Sequence, residues 1–324
     1  MKKRKVWFNG QFVNESEAKI SIYDSALMFG DMVFEMTRSF NKKQFKLREH
    51  LERLYASINY LQIPITMAID EMEDAVYETI KVNDPCFEKD DEHRVMIDVS
   101  RGLLSIYENI VGGGKGPNII IAVFPLRWTV TGMKELFDNG INAVIPSQRA
   151  IPASLLEPKV KNRSRIHYLK ANMEVANCKG DNNWALLLDP DGFITEGTGD
   201  NFFIIKNRKI IGPEGRNILR GISRQYIIDE LCPQLKLEYI EKNIELYDVL
   251  EADEAFMTGT PFCMLPVTSV NGQAIGSGEV GETFTQILSQ WSDNVNLDIK
   301  EQISNWHRAD HTSSTSPSPY QFKK

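Results

Sequence analysis

The sequence offers no pattern for binding a metal. Its four cysteines, Cys86, Cys178, Cys232 and Cys263, form no CxxC pair, so a zinc site is not expected and the default is four reduced thiols. Histidines, cysteines and carboxylates do not cluster at ligand spacing either, and no metal is expected. No apolar run is long enough to span a bilayer, which argues against a membrane partner. The basic start, Met1-Lys2-Lys3-Arg4-Lys5, runs into Trp7-Phe8-Asn9-Gly10 instead of an apolar signal core, so the expected compartment is the cytoplasm. There is no basic block, and 37 basic against 44 acidic residues give a net charge of −7, which argues against nucleic acid as the main partner. No internal repeat is present.

What the chain does have is enough apolar residues for a core. At 324 residues and 42% hydrophobic it is long enough for one large domain or two medium ones, and global disorder is excluded. Val6 to Val13 reads as strand, Asn-Gly turn, strand. Strands are expected over Val33 to Phe40 and Gln44 to Leu47. Leu47, Leu51, Leu54, Ile58 and Leu61 then recur at helical spacing, and Ile69 to Val82 reads as a second helix. Arg94 to Val99 and Asn118 to Phe124 are β-branched runs of strand type. Val111 to Pro117 is glycine-rich but lacks the Lys-Ser/Thr of a phosphate loop, and reads as a connector or lid. The expected divisions are a small N-terminal α/β domain over 1–125, a crossing at 126–135, a larger domain over 136–300 and a polar tail over 301–324.

Residues Lys161 to Asn201 carry the chemistry. A lysine opens a stretch of helical character expected to reach Gly180. A strand, a tight turn at Asp189-Pro190-Asp191-Gly192 and a second strand follow, ending in Glu196-Gly197-Thr198-Gly199. The commonest fate of a lysine is a solvated surface, and Lys159, Lys170 and Lys179 compete with Lys161 on those terms. Lys161 stands out by following Val160 and preceding the stripe Ile166, Leu169 and Met173. Glu196 is either a strand-end carboxylate or a partner for a ring nitrogen, and Gly197 and Gly199 would let backbone approach a flat ligand. An amine and such a carboxylate are what a pyridoxal phosphate enzyme needs. Ser223 sits at a candidate helix start, where an ordinary N-cap competes with a phosphate site. Thr258-Gly259-Thr260 is a small-residue turn able to bind the same phosphate. Arg53 lies beside the leucine stripe and either snorkels, pairs with Glu49 or grips a phosphate.

Over residues 5 to 290 the chain resembles the class IV (fold-type IV) pyridoxal phosphate aminotransferases, a group that includes branched-chain and D-amino-acid aminotransferases and aminodeoxychorismate lyase. The resemblance rests on several segments in family order. They are Trp7-Phe8-Asn9-Gly10, Phe29-Gly30-Asp31-Met32-Val33-Phe34-Glu35, Arg48-Glu49-His50-Leu51-Glu52-Arg53-Leu54, Thr195 to Phe203, Gly221-Ile222-Ser223-Arg224 and Thr258-Gly259-Thr260.

The resemblance implies an α+β, two-domain fold with a small N-terminal α/β domain and a larger barrel-like one. It also implies a homodimer and a transaminase moving an amino group between an amino acid and a 2-oxo acid through a Lys161 Schiff base. Arg53, Ile222, Ser223, Gly259 and Thr260 would hold the cofactor phosphate and Glu196 its ring nitrogen. Phe34, Arg38, Arg94 and Arg101 would face the substrate. The chain departs from the family at Ile166, where branched-chain enzymes carry a tyrosine, and at Met36, where a small residue is usual. Val99-Ser100-Arg101-Gly102 sits closer to the D-amino-acid branch. The alternatives are a lyase using the same lysine and a non-catalytic cofactor-binding scaffold.

Overall fold

The computed structural model describes residues 3–111, 116–180 and 182–309. The glycines of the Val111 to Pro117 connector from 112 to 114, and the tail beyond 309, lie outside the described residues. The chain divides into two compact units, one of Met1–Leu126 with Val160–Arg165, the other of Arg127–Lys159 with Ile166–Lys324.

Unit 1 is a six-stranded antiparallel sheet made of β1 (Lys5–Phe8), β2 (Gln11–Asn14), β3 (Met32–Phe40), β4 (Lys43–Gln44), β5 (His93–Ser100) and β6 (Asn118–Pro125). The strand order is β2-β1-β6-β5-β3-β4. Asn9 and Gly10 both take positive φ (49° and 89°), the pair of left-handed residues a two-residue hairpin requires, so the Asn-Gly signal is read correctly. Helix α1 (Ser25–Phe29) precedes β3. Helices α2 (Leu47–Tyr60) and α3 (Ile69–Asn83) cover one face of the sheet.

Leu51, Leu54, Ile58, Met72 and Val76 bury against Val33, Val95, Ile97, Val99 and Ile121. Each such side chain contributes roughly 1.5–3 kcal/mol by leaving water. The strand expected over Gln44 to Leu47 reduces to β4, because Lys46 turns left-handed (φ 52°) and Leu47 already heads α2.

The helix expected from Lys161 to Gly180 covers only Ile166–Val175. Lys161 to Arg165 instead runs along β3. Asn162 bridges Val33, the Phe34 amide donates to the Lys161 carbonyl at 3.0 Å, and the Arg163 amide donates to the Met32 carbonyl at 2.9 Å. Strand pairing here overrides local helical character. Gly30 makes room for this segment: its φ is +69°, and a Cβ on it would stand 2.3 Å from Ser164 Oγ. The boundaries shift accordingly, since the first unit ends at Leu126 and takes back 160–165, while the expected crossing from Arg127 onward folds with the second unit.

In unit 2 the strands are β7 (Ile141–Val144), β8 (Asn183–Leu188), β9 (Ile194–Gly197), β10 (Asn201–Lys206), β11 (Lys209–Pro213), β12 (Glu238–Lys242), β13 (Glu254–Gly259), β14 (Cys263–Val270) and β15 (Gln273–Ala274). The run β10-β13-β14-β7-β8-β9 closes on itself, because β9 pairs back to β10 through Glu196 and Asn201. A closed ring removes the open edges among these six strands. Phe202, Phe203, Phe256, Met257 and Leu265 are fully buried in this unit. The turn between β8 and β9 is built by Asp189, whose Oδ1 accepts the amides of Asp191 and Phe193. Part of the expected tail is a helix, Ile299–Ala309, because Ile299, Ile303 and Trp306 fall at helical spacing and are buried.

Candidate active site

On the helix-covered face of unit 1, Glu35 is fully buried and fully engaged. Arg53 donates through Nε to one oxygen (2.6 Å) and through NH2 to the other (2.9 Å), and His50 Nδ1 lies 2.7 Å away. His50 and Arg53 are one turn apart on α2, which is why both reach the same carboxylate. Burial alone would raise the Glu35 pKa, but the Arg53 guanidinium and His50 outweigh it and hold the carboxyl well below its ordinary range. Burial pushes His50 down, toward the neutral imidazole. Arg53, read from the sequence as a phosphate ligand, is therefore oriented by Glu35.

The opposite face of the same sheet carries Lys161. Its amide donates to Ser57 Oγ at 3.2 Å, and its ammonium lies 4.9 Å from the centroid of the Phe34 ring. Arg163 stacks on that ring at 3.7 Å and grips one oxygen of Asp98 at 2.9 Å through Nε. Lys161 is half-buried, whereas Lys170 and Lys179 are exposed and Lys159 pairs with Glu157. Arg38 is buried under the Phe40 ring, 3.8 Å from its centroid. Arg94 stands in register with Arg38 on the neighbouring strand. Arg101 is committed to Asp31 at 2.6 Å and to the carbonyls of Leu61 and Gln62. Asp98 and Arg163 were not singled out in the sequence; the signal was a second cation two residues beyond the lysine.

In unit 2, Glu196 is buried at the end of β9. It accepts the Tyr168 hydroxyl at 3.0 Å, Asn201 Nδ2 at 2.9 Å and the Leu219 amide at 3.0 Å. Asn201 also donates to the Leu219 carbonyl, and its Oδ1 would meet a Cβ on Gly221 at 2.1 Å. It thus ties the carboxylate to the start of the helix Ile222–Tyr226, whose second residue, Ser223, is buried. Asn201 was missed because nothing local marks an asparagine as a hub. Gly197 serves its own turn, since a Cβ there would meet the Asp200 carboxylate at 2.1 Å, while Gly199 faces open space. The turn expected at Thr258-Gly259-Thr260 begins only at Thr260, because Thr258 and Gly259 end β13; there Thr258 Oγ1 is buried with no partner among the described residues, and Gly259 lies against Phe262.

A buried hydroxyl left unsatisfied is stable only if something supplies its partner. Amides at a helix start, the hydroxyl of Ser223 and this orphan suit an oxyanion, and a carboxylate already aimed by three donors suits a protonated ring nitrogen. Pyridoxal phosphate carries both groups, so the residues present fit that cofactor.

The comparisons give the family. The family model for amino-transferase class IV matches residues 32–270, and the chain belongs to that family. It is 36% identical over 290 residues to a putative branched-chain-amino-acid aminotransferase of Methanocaldococcus jannaschii, covering 89% of this chain and 96% of that one. It is 30% identical to a D-alanine aminotransferase of Bacillus licheniformis, covering 86% and 92%. Among solved structures, the branched-chain amino acid aminotransferase of Escherichia coli superposes with a TM-score of 0.79 at 28% identity, covering 90% of this chain and 94% of that one. The fold is that of the fold-type IV enzymes, and the protein is a pyridoxal phosphate-dependent transaminase. No helix among the described residues is long and apolar enough to cross a membrane.

Proposed function

We propose that Lys161 is the lysine that bonds the cofactor and moves the substrate proton, in a transaminase acting on branched aliphatic amino acids. The observation that carries the assignment is the half-buried amine of Lys161 on the Phe34 ring, against the exposed Lys170 and Lys179. When bound, pyridoxal phosphate supplies an aldehyde that condenses with amines and a ring that accepts electrons. Lys161 would bond the cofactor through its amine and, once freed, move the substrate proton, as base and then as acid. Glu196 holds the ring nitrogen protonated, and Tyr168, Asn201 and the Leu219 amide fix the direction of its carboxylate. Arg53, oriented by Glu35, serves the phosphate together with Ile222, Ser223, Gly259 and Thr260.

An apolar substrate side chain is favoured by Phe34, Met36, Met96 and Phe124, which share the sheet face of Arg38 and Arg94. The family signals that differ between branches are decided by assay: a panel of L- and D-amino acids with 2-oxoglutarate and pyruvate. Highest kcat/KM on L-leucine, L-isoleucine or L-valine supports the reading, and highest kcat/KM on D-alanine overturns it. Borohydride reduction of the holoenzyme followed by peptide mapping should place the label on Lys161; a label on Lys170 would sink that assignment.

A homodimer is proposed from the apolar surface of unit 1. Ile22, Leu27, Phe29, Ile106 and Ile110 are each more than 60% exposed, and the Tyr23 and Tyr107 rings, 4.8 Å apart, join the two segments that carry them. Sedimentation at micromolar concentration checks this, and a monomer would refute it. The cytoplasm remains the proposed compartment.

A further inference from the structure

Lys161 shares its platform with two further cations. The Phe34 ring is 3% exposed, and the Lys161 ammonium lies 4.9 Å from its centroid, the Arg163 guanidinium 3.7 Å and that of Arg165 5.4 Å. Lys161 and Arg163 are therefore within the ~10 Å over which charges interact at 0.1 M salt. Arg163 is held from three directions. Its amide donates to the Met32 carbonyl at 2.9 Å, its planar group lies on the ring, and Nε and NH2 both donate to Asp98 Oδ1, at 2.9 and 2.8 Å. Asp98 is paired directly with Phe34 across β3 and β5, so ring, acid and arginine form one block. The charged groups around the amine within unit 1 are Arg163 and Arg165 on its own segment, His50 and Arg53 on α2, Glu35 and Arg38 on β3, and Arg94 and Asp98 on β5. Its acids are each held by a guanidinium, Glu35 by Arg53 and Asp98 by Arg163. On balance the set is positive, and burial pushes His50 toward the neutral imidazole, with Lys161 adding to that push.

We infer that Arg163 is a positioning residue for Lys161: fixed on the Phe34 ring by Asp98, its permanent charge favours the uncharged form of the Lys161 amine. A lysine must shed its proton before it can bond an aldehyde or take a proton from a substrate. A guanidinium keeps its proton at every working pH, and a like charge nearby disfavours the ammonium. Asp98 gives the arrangement its precision. Without that acid, a long side chain that is one-third exposed would spend its time in water. With it, the guanidinium stays on the ring that also carries the amine. Phe34 thus acts as a spacer that keeps two like charges close. The inference rests on the assignment of Lys161 and adds to it the group that readies the amine.

The test is competitive acetylation of the cofactor-free full chain across a pH series, with peptide mapping to read Lys161 and Lys170 separately. Arg163→Met keeps the length of the side chain and loses its charge. In this variant the Lys161 midpoint should rise by about 0.5–1 pH unit while that of Lys170 stays in place, and Arg163→Lys should restore most of the difference. The absorbance titration of the holoenzyme should move in the same direction. If Arg163→Met does not fold, Arg163→Gln carries the same expectation. A Lys161 midpoint that stays put or falls overturns the proposal. So does a rise that Arg163→Lys fails to reverse, since packing and not charge would then be at work. If borohydride labels another lysine while the Lys161 midpoint still rises in Arg163→Met, the assignment of Lys161 fails and the charge effect stands.

Discussion

The two faces of the unit 1 sheet hold charge in opposite ways. On the helix side, Glu35 is matched by Arg53 and His50 with every distance under 3 Å. On the other side, no carboxylate among the described residues pairs with Arg94, and the acid on its strand face, Asp98, is taken by Arg163. The same sheet thus has a settled face and an unsettled one. A matched charge that is buried orients its neighbours and can be broken only at a cost to stability. Unit 2 repeats the contrast on a smaller scale, with Glu196 satisfied by three donors and Thr258 Oγ1 by none.

The contrast breaks most visibly at Lys161, the proposed reactive amine. Lys161→Ala should lower kcat on the order of 10⁴-fold or more while leaving Tm within about 1 °C, since an amine lost from the unsettled face removes chemistry and not packing. A single-turnover assay with added pyridoxal phosphate reads this, and native-rate turnover would end the assignment. Next comes Glu35→Gln, which leaves Arg53 without its carboxylate and should destabilise by about 3–5 kcal/mol at pH 7. The sign with pH follows from the depressed Glu35 pKa. A carboxylate whose folded pKa lies below its unfolded value contributes stability fully above the unfolded pKa, here 4.5, and loses it as pH falls further. The gap between wild type and Glu35→Gln should therefore narrow in urea titrations once the pH drops below that value; a gap that widens there contradicts the pairing.

Smaller effects sharpen the unit 2 half. Thr258→Val removes an orphan hydroxyl at nearly constant shape. The cofactor-free protein should keep its stability or gain about 1 kcal/mol, while pyridoxal phosphate affinity falls roughly 5- to 30-fold. Equilibrium dialysis decides it, and unaltered affinity would show the hydroxyl idle. The smallest effect belongs to Tyr168→Phe. Removing one of three donors to Glu196 should cost about 1 kcal/mol of cofactor binding and shift the absorbance titration of the holoenzyme. A superimposable titration would mean the phenol does not act through Glu196.

Much of unit 1 was legible because its signals are local. Asn9-Gly10 demands left-handed residues, and the Leu47 to Ile58 stripe has one period over three turns. The reading of Lys161 rests on its neighbours and the family pattern, while its surroundings form no helix. The reason is that Lys161 to Arg165 pairs with β3, more than a hundred residues earlier, and no window around residue 161 contains that partner. Ring closure in unit 2 was hidden for the same reason, since it depends on which strand returns to β10. Asn201 and Asp98 were missed because a polar residue becomes a hub only through distant partners. The helix Ile299–Ala309 was legible in principle at Ile299, Ile303 and Trp306, but the serine- and proline-rich stretch after it dominated the reading.

The backbone at Lys161 is pinned on both sides, its amide donating to Ser57 Oγ and its carbonyl accepting the Phe34 amide. A pinned backbone makes the lysine a lever with a fixed fulcrum. All travel of the amine must come from rotation about its four methylenes, so the arc it sweeps is set by side-chain torsions alone. On the proposed role of Lys161, hydrogen exchange at the Phe34 and Arg163 amides should stay slow throughout turnover, while the amine a few bonds away changes place with every cycle.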